Sequence, residues 1–177
     1  MDSEEIRRSI ESAVTYVTEH PGEAAYTDSA AVARIDSGLR CRITGPDDAS
    51  VTTDMPASVG GGESAPSAGW LFRAAVAGCV ATLVAMRAAQ RSVPLGELEV
   101  TVDSESDDRG ILGIDDTVPA GPLSLRIVVR VAATDGTGRD ALVEIVHWAI
   151  GHCPVSDAAA RSVPMRVDVE TGEGRSV

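Results

Sequence analysis

The stretch PSAGWLFRAAVAGCVATLVAMRAAQR, residues 66–91, decides the fold. It consists mainly of strong helix formers, and after residue 71 only Gly78 disfavours a helix. Small residues recur at spacings of three and four: Ala74, Ala77, Gly78, Ala81 and Ala85. Such a stripe lets a second backbone approach closely, and most of the remaining circumference is apolar. We therefore predict one long helix that is buried nearly all round.

A membrane-spanning helix is the alternative interpretation of this stretch, because about 20 apolar residues suffice to cross a bilayer. Arg73 and Arg87 lie inside it, however, and leave only residues 74–86 uncharged. This pattern favours a core helix, and we expect no membrane partner.

Composition narrows the class of protein. The chain has 177 residues, and we expect a helical appendage over residues 1–22 and one domain over residues 23–177. A formal net charge of −12, with no run of Lys or Arg, repels phosphate backbones and argues against nucleic acid as a partner. Residues 1–20 carry charges and lack the apolar core of a secretory signal, so we expect a cytoplasmic protein. Its three cysteines are then expected to be free thiols.

The periodicity of apolar residues predicts the other elements in outline. Ile6, Ile10, Val14 and Val17 have helical spacing and predict an N-terminal helix that ends before Pro21. Residues 39–43 alternate as a half-buried strand with Cys41 on its inward face, where a small core residue is the expected role. Gly60, Gly61 and Gly62 lack the Lys of a phosphate-binding loop, and we interpret them as a flexible hinge or loop.

The second half of the chain alternates strands and helices. Residues 98–102 and 123–131 predict paired strands, with Arg126 and Arg130 facing Glu99 and Asp103. A helix over residues 139–150, ended by Gly151, should lead into a short helix from Cys153 to about Arg161. Met165, Val167 and Val169 predict a last strand. The order β-β-α-β-β-α-α-β indicates an α+β fold with sheets packed around a central helix.

Two cysteines are candidates for chemistry. Cys153 precedes Pro154 at the expected start of a helix, where backbone N–H groups favour the thiolate. A small residue tolerated at a helix start explains Cys153 equally well, and packing alone is the simpler explanation of Cys79. His147 and His152 have the wrong spacing for two ligands on one helical face, so we expect no metal site. No dinucleotide or nucleophile-elbow motif is present, and we expect no cofactor.

The pairing of Cys79 in AAVAGCVATLVAMRAA with Cys153 in HCPVSDA resembles the OsmC/Ohr family of thiol-dependent peroxidases. The resemblance covers about residues 39–170, and the Cys-Pro-Val motif is its most specific part. It implies an OsmC-like fold in an intertwined homodimer whose two long helices cross. It also implies that Cys79 attacks an organic hydroperoxide and that Cys153 resolves the sulfenic acid as a disulfide, which an external dithiol reduces. Trp70, Leu71 and Met86 are candidates for the wall of the substrate pocket.

The sequence departs from the family pattern at the residues that activate the thiol. The family commonly has a Glu at the start of the long helix and an Arg from an early strand, whereas this chain has residues 68–70, Ala-Gly-Trp, at the first place. Arg40 and Arg42 are the candidates to replace the activating pair. Two hypotheses therefore stand: a peroxidase for organic hydroperoxides, or a non-enzymatic protein of the same fold that binds a small apolar ligand or senses redox state.

Overall fold

The computed structural model describes residues 2–171. Residue 1 of the expected appendage and residues 172–177 of the expected domain lie outside the described residues. The helices are α1 (Ser3–Glu19), α2 (Ala68–Gln90), α3 (Asp108–Ile111), α4 (Arg139–His152) and α5 (Pro154–Ala160). The strands are β1 (Val32–Ser37), β2 (Arg40–Thr44), β3 (Ser50–Thr53), β4 (Leu95–Glu105) and β5 (Ser124–Ala133). Short 3-10 turns occur at Pro21–Glu23 and Ala57–Val59. The predicted α+β class is confirmed.

The N-terminal helix α1 forms where its sequence predicts it and ends just before Pro21. Its first turn is closed by a capping box: Asp2 accepts the Glu5 N–H at 2.8 Å, and Glu5 Oε2 accepts the Asp2 N–H at 2.9 Å. The helix packs against α2 but has no fully buried residue. Packing of its half-buried Ile6 and Ile10 holds α1 to the rest of the protein, while Val14 and Val17 remain exposed.

The antiparallel β4–β5 hairpin covers one side of α2. Its apolar face is built from cross-strand pairs, of which Val100 with Val129 and Val102 with Ile127 are central. On the wet face, Asp103 pairs with Arg126 at 2.6 Å and Glu99 pairs with Arg130, as predicted. The alternation along both strands therefore fixed their pairing and their faces correctly.

The core is a cluster of small and branched side chains between α2, α4 and this hairpin. Its buried members are Val76, Val80, Val84, Ala88, Ile145, Ala149 and Cys153. The prediction that α2 is buried nearly all round is wrong for the single chain, because Ala75, Gly78 and Thr82 are exposed. The β4–β5 hairpin and the helices α1, α4 and α5 contact α2 but leave these residues uncovered.

By length and composition, α2 is also apolar enough to cross a membrane, a test that the core helix of a soluble protein passes too. Here its valine side lies in the packed core.

Strands β1, β2 and β3 form a separate antiparallel sheet in sequence order. The register places Ile35 opposite Cys41, and Cys41 opposite Thr53, so these side chains share one face. Ile43 and Val51, also paired, lie on the same face. Ile35 is 64% exposed and Val51 39% exposed, so the described part of the chain leaves this apolar face largely open.

The predicted last strand is wrong. Residues 162–171 have no regular secondary structure, and Met165, Val167 and Val169 are 91%, 80% and 79% exposed. A strand needs a neighbour to accept its backbone hydrogen bonds, and within the described residues this segment has none. The helix boundary at Gly151 is also corrected, because α4 continues through His152.

Candidate functional site

The position of Cys79 follows from the geometry of α2. The helix begins at the N-cap Ser67, whose side chain accepts the Trp70 N–H at 3.2 Å. Cys79 lies between the buried Val76 and Val80 on one side and the exposed Gly78 on the other. Its thiol is therefore half-buried at the edge of the core, where both packing and access are available.

Cys153 is the N-cap of α5, as the sequence predicts. Its backbone is extended, Pro154 occupies the first helical position, and Cys153 Sγ accepts the Ser156 N–H at 3.4 Å. The side chain is 0% exposed. Its sulfur thus fills the role that an oxygen plays in an ordinary N-cap.

Aromatic stacking fixes the end of α4 beside Cys153. The His152 ring stacks on Trp148 with centroids 4.1 Å apart, and His152 Nδ1 lies 2.7 Å from the Trp148 carbonyl oxygen. The Arg87 guanidinium of α2 lies 4.5 Å from the Trp148 ring centroid. This cation–π contact ties α2 to the turn that carries Cys153.

The structure brings the two thiols into hydrogen-bonding contact, and all three cysteines are free. Burial raises the pKa of Cys79, and the hydrogen bond to the Cys153 sulfur raises it further. Burial opposes ionisation of Cys153 too, but hydrogen bonds from Cys79 and Ser156 outweigh it and lower the pKa of Cys153. Cys153 is therefore the thiol that ionises first, in the direction that its helix-start position predicts.

A cavity of about 630 Å³ opens beside this pair. Apolar side chains from α2, β5 and α4 line most of it, among them Phe72, Val76, Leu123, Leu125, Ile127 and Ile150. Ser156 and Asp157 of α5 supply its polar end. Neither thiol lines this cavity, but Val76 of its wall precedes Cys79 by one helical turn, and Ser156 contacts the Cys153 sulfur. An apolar groove so close to two thiols suits a small apolar molecule with a reactive polar group.

The residues predicted to form the pocket wall do not line this cavity. Trp70 is 48% exposed, and Leu71 and Met86 are half-buried at other positions around α2. Phe72 and Val76 take their place because they point toward β5 and α5. Helical spacing could have selected these two, since residues 72, 76 and 79 recur at intervals of four and three.

The two arginine candidates have other partners. Arg40 Nη1 donates to Ser64 Oγ at 2.6 Å, and Arg42 Nη2 pairs with Asp36 Oδ2 at 3.1 Å. Within residues 2–171, no hydrogen bond or ion pair joins either arginine to a thiol. Their role as activating residues stays a prediction.

Asp54, which the sequence analysis did not single out, organises the loop before α2. Its carboxylate accepts the N–H groups of Met55 at 2.8 Å, Gly62 at 3.3 Å and Ser64 at 3.1 Å, and the Ser64 hydroxyl at 2.7 Å. The hydrogen bonds from Ser64 are the main cause that lowers the pKa of Asp54 to about 2. In the sequence, an Asp between a strand and a Pro/Gly-rich segment indicates a side chain that accepts backbone N–H groups of a turn.

The glycines predicted to form a hinge or loop lie in a loop, and a close approach of the backbone fixes the middle one. A Cβ on Gly61 would lie 1.8 Å from the Met55 carbonyl oxygen, so only glycine fits there. The loop is therefore tightly packed, and through Ser64 it links Asp54 to Arg40 of β2.

Within residues 2–171, no group of three or more His, Cys, Asp or Glu side chains is arranged to hold a metal ion.

A family model and several solved structures are similar to this chain. The family model described as OsmC-like protein matches residues 60–168. None of the curated proteins matches the sequence.

Several solved structures share the fold at low sequence identity. The OsmC-like protein of Mycoplasma pneumoniae is 14% identical, with a TM-score of 0.61 over 78% of this chain and 90% of that one. An organic hydroperoxide resistance protein from Legionella pneumophila is 22% identical, with a TM-score of 0.56 over 77% and 90%. The organic hydroperoxide resistance protein OhrB of Bacillus subtilis is 23% identical, with a TM-score of 0.52 over 78% and 94%.

Proposed function

The chain belongs to the OsmC-like protein family, and we propose that it is a cytoplasmic, thiol-dependent peroxidase for organic hydroperoxides. The observation that carries this proposal is the contact between Cys79 and Cys153, which come from distant parts of the chain and meet beside an apolar cavity. Similar folds in two proteins named for organic hydroperoxide resistance support the choice of substrate class.

The reaction has two oxidative half-steps. The Cys79 sulfur attacks the peroxide, so that an S–O bond forms and the O–O bond breaks, and the organic part leaves as an alcohol after taking a proton. Cys79 is then a sulfenic acid. The Cys153 thiolate attacks the Cys79 sulfur, the S–S bond forms and the S–O bond breaks, and the departing hydroxide takes a proton from solvent and leaves as water. An external dithiol reduces the disulfide and restores both thiols.

The unequal acidity of the two sulfurs suits this division of labour. A Cys153 thiolate is ready to attack the sulfenic acid, and before that step its sulfur lies within reach of the Cys79 proton. The raised pKa of Cys79 leaves little thiolate at neutral pH without such help. Cys153 thus accepts the Cys79 proton and passes it to the departing alkoxide, which leaves as the alcohol. Again a thiolate, Cys153 then acts as the resolving nucleophile.

The protein acts as a homodimer in this proposal. Three surfaces of the single chain are apolar or small and uncovered: the Ile35 face of the β1–β3 sheet, the exposed side of α2 at Gly78, and residues 163–169. A second copy that covers them would remove a large apolar patch from water. Arg40 or Arg42 of the second copy would approach a thiol of the first. Helix α1 is an appendage to the domain.

The central experiment follows the fate of each sulfur. One equivalent of cumene hydroperoxide should link Cys79 to Cys153 and leave Cys41 free, as read by mass spectrometry of tryptic peptides. Cys79→Ser should abolish hydroperoxide consumption, and Cys153→Ser should consume about one equivalent and then stall as a sulfenic acid. Cys41→Ser is the matched control and should turn over like the parent. Turnover of hydrogen peroxide as fast as cumene hydroperoxide would contradict the substrate class, because the apolar cavity gains burial energy only from the organic part, about 25 cal/mol per Å².

The raised pKa of Cys79 also favours the second candidate, a protein of this fold that binds a small apolar ligand or senses redox state. In that case Cys79 stays reduced in excess hydroperoxide while the fold, followed by circular dichroism, remains intact. Such an outcome would replace the peroxidase with the binding protein.

A further inference from the structure

Ser156 has a buried hydroxyl that the proposed reaction does not use. It is the third residue of α5, and its N–H donates to Cys153 Sγ at 3.4 Å. Its Oγ is buried and, within residues 2–171, has no hydrogen-bond partner of good geometry. A buried hydroxyl left unpaired costs about 1–3 kcal/mol, so it calls for a physical explanation.

Helix α1 offers the comparison that explains it. In its capping box the N-cap side chain accepts the N–H of the third helical residue, and the side chain of that residue accepts the N-cap N–H. Cys153 and Ser156 occupy the same two positions in α5, and the first of the two bonds is present. The second is not needed, because the Cys153 N–H already donates to the Ile150 carbonyl oxygen at 3.4 Å. The Ser156 hydroxyl is therefore available to donate a hydrogen bond to Cys153 Sγ.

We propose that Ser156 is a positioning residue that donates a hydrogen bond from its hydroxyl to Cys153 Sγ when Cys153 is a thiolate. The hydroxyl rotates freely about its C–O bond, so it gains a strong acceptor only when the sulfur loses its proton. One residue then holds the sulfur with two donors, the backbone N–H and the side-chain O–H. The side chain is already among the groups that favour the ionised form of Cys153.

The consequence for the reaction rests on the proposed peroxidase function. Once Cys153 is a thiolate again, the two donors keep its sulfur directed toward the Cys79 sulfenic acid, so the disulfide closes before a second peroxide arrives. Loss of the hydroxyl lowers the fraction of Cys153 that is thiolate, so it should slow both the proton transfer from Cys79 and disulfide closure.

The first test measures ionisation without any peroxide. In a Cys41→Ser, Cys79→Ser background, Cys153 is the only cysteine, and thiolate absorbance near 240 nm gives its titration midpoint. Ser156→Thr and Ser156→Val have the same shape and differ by one hydroxyl. We expect the Thr variant to titrate close to the parent and the Val variant about one pH unit higher, a tenfold loss of thiolate below the midpoint. Ser162→Ala, an exposed serine just beyond α5, should leave the midpoint unchanged.

Equal midpoints in the Thr and Val variants, both folded by circular dichroism, would overturn the proposal. Should Val disrupt α5, Ser156→Ala against Ser156→Thr makes the same comparison with a smaller side chain. The second test uses both catalytic thiols and one equivalent of cumene hydroperoxide, and it expects disulfide closure to be about tenfold slower in the Val variant. If the midpoints differ as expected but no variant, nor the parent, forms the disulfide, the peroxidase function fails and the role of Ser156 stands.

Discussion

The two sheets of this protein have the same amphipathic pattern and very different surroundings. In the β4–β5 hairpin, Val100 and Val102 pack against the core cluster. In the β1–β3 sheet, Ile35 and Val51 lie on an equally regular apolar face, yet the described part of the chain leaves both exposed. The alternation of apolar and polar residues therefore identifies the apolar face of a strand, but it does not identify the element that packs against this face.

The α2 helix repeats this contrast on its two sides. Val76, Val80 and Val84 are fully buried, whereas Gly78 on the opposite side is exposed. A second copy of the chain that covers both open surfaces would explain why they are apolar or small. The following predictions test that explanation, from the largest expected effect to the smallest.

Ile35→Asp should have the largest effect. If a partner covers the apolar face of the β1–β3 sheet, the substitution buries an unpaired carboxylate, and the dimer should be lost in light scattering. Arg34→Gln, on the opposite face of the same strand, is the control and should stay dimeric. If the sheet is truly open, Ile35→Asp changes the free energy of unfolding by no more than about 0.5 kcal/mol and leaves the molar mass in light scattering the same as that of the parent. That outcome would show that no partner covers this face.

Ala77→Leu should have a medium effect. In a helix crossing, the added side chain overpacks the contact and should destabilise the protein by about 1–3 kcal/mol in chemical unfolding. Ala13→Leu on the exposed surface of α1 makes the same chemical change without a crossing. Equal unfolding midpoints for the two variants would show that nothing packs against the Ala77 side of α2.

Asp54→Asn tests the loop that joins the open sheet to α2, and its effect should depend on pH. The folded pKa of Asp54, about 2, lies below its ordinary value of 3.8. The stabilisation by the charged Asp54 carboxylate is thus fully present above the ordinary pKa of 3.8, and it is lost as the pH falls toward the folded pKa of about 2. The difference in melting temperature between wild type and Asp54→Asn should be constant from about pH 7 to pH 5 and should narrow by about pH 3.

Asp116→Asn removes an exposed carboxylate from another turn and is the matched control for the substitution itself. A gap between wild type and Asp54→Asn that is independent of pH would mean that the Asp54 charge contributes nothing to the loop.

Local patterns were sufficient for much of the fold and part of the site. The capping box of α1, the register of β4 and β5 with Arg126 opposite Asp103, and Cys153 at the start of α5 all follow from residues close in sequence or from strict alternation. They were predictable because capping and pleat periodicity act over a few residues, whatever the rest of the chain does.

The errors lie where a contact between distant elements decides the outcome. Residues 163–169 alternate like a strand but find no neighbour in the described chain. Phe72 faces the cavity because β5 and α5 lie on that side of α2, and a role of Trp70 in substrate binding stays a prediction. Asp54 was missed because its hydrogen-bond partners lie along a loop whose path depends on a close approach at Gly61.

The sequence by itself determined helices α1, α2, α4 and α5, the faces of β4 and β5, and the two cysteines that carry the family motif, because propensity and periodicity depend on residues close in sequence. Only the tertiary structure decided that Cys79 and Cys153 meet, since their contact depends on how α2 packs against α5. It also decided which thiol ionises first: burial raises the pKa of Cys79, whereas hydrogen bonds from Cys79 and Ser156 lower that of Cys153 despite its burial. The part of these shifts that comes from the contact between Cys79 and Cys153 joins residues distant in sequence, so no local pattern encodes it, whereas the part from Ser156 is local.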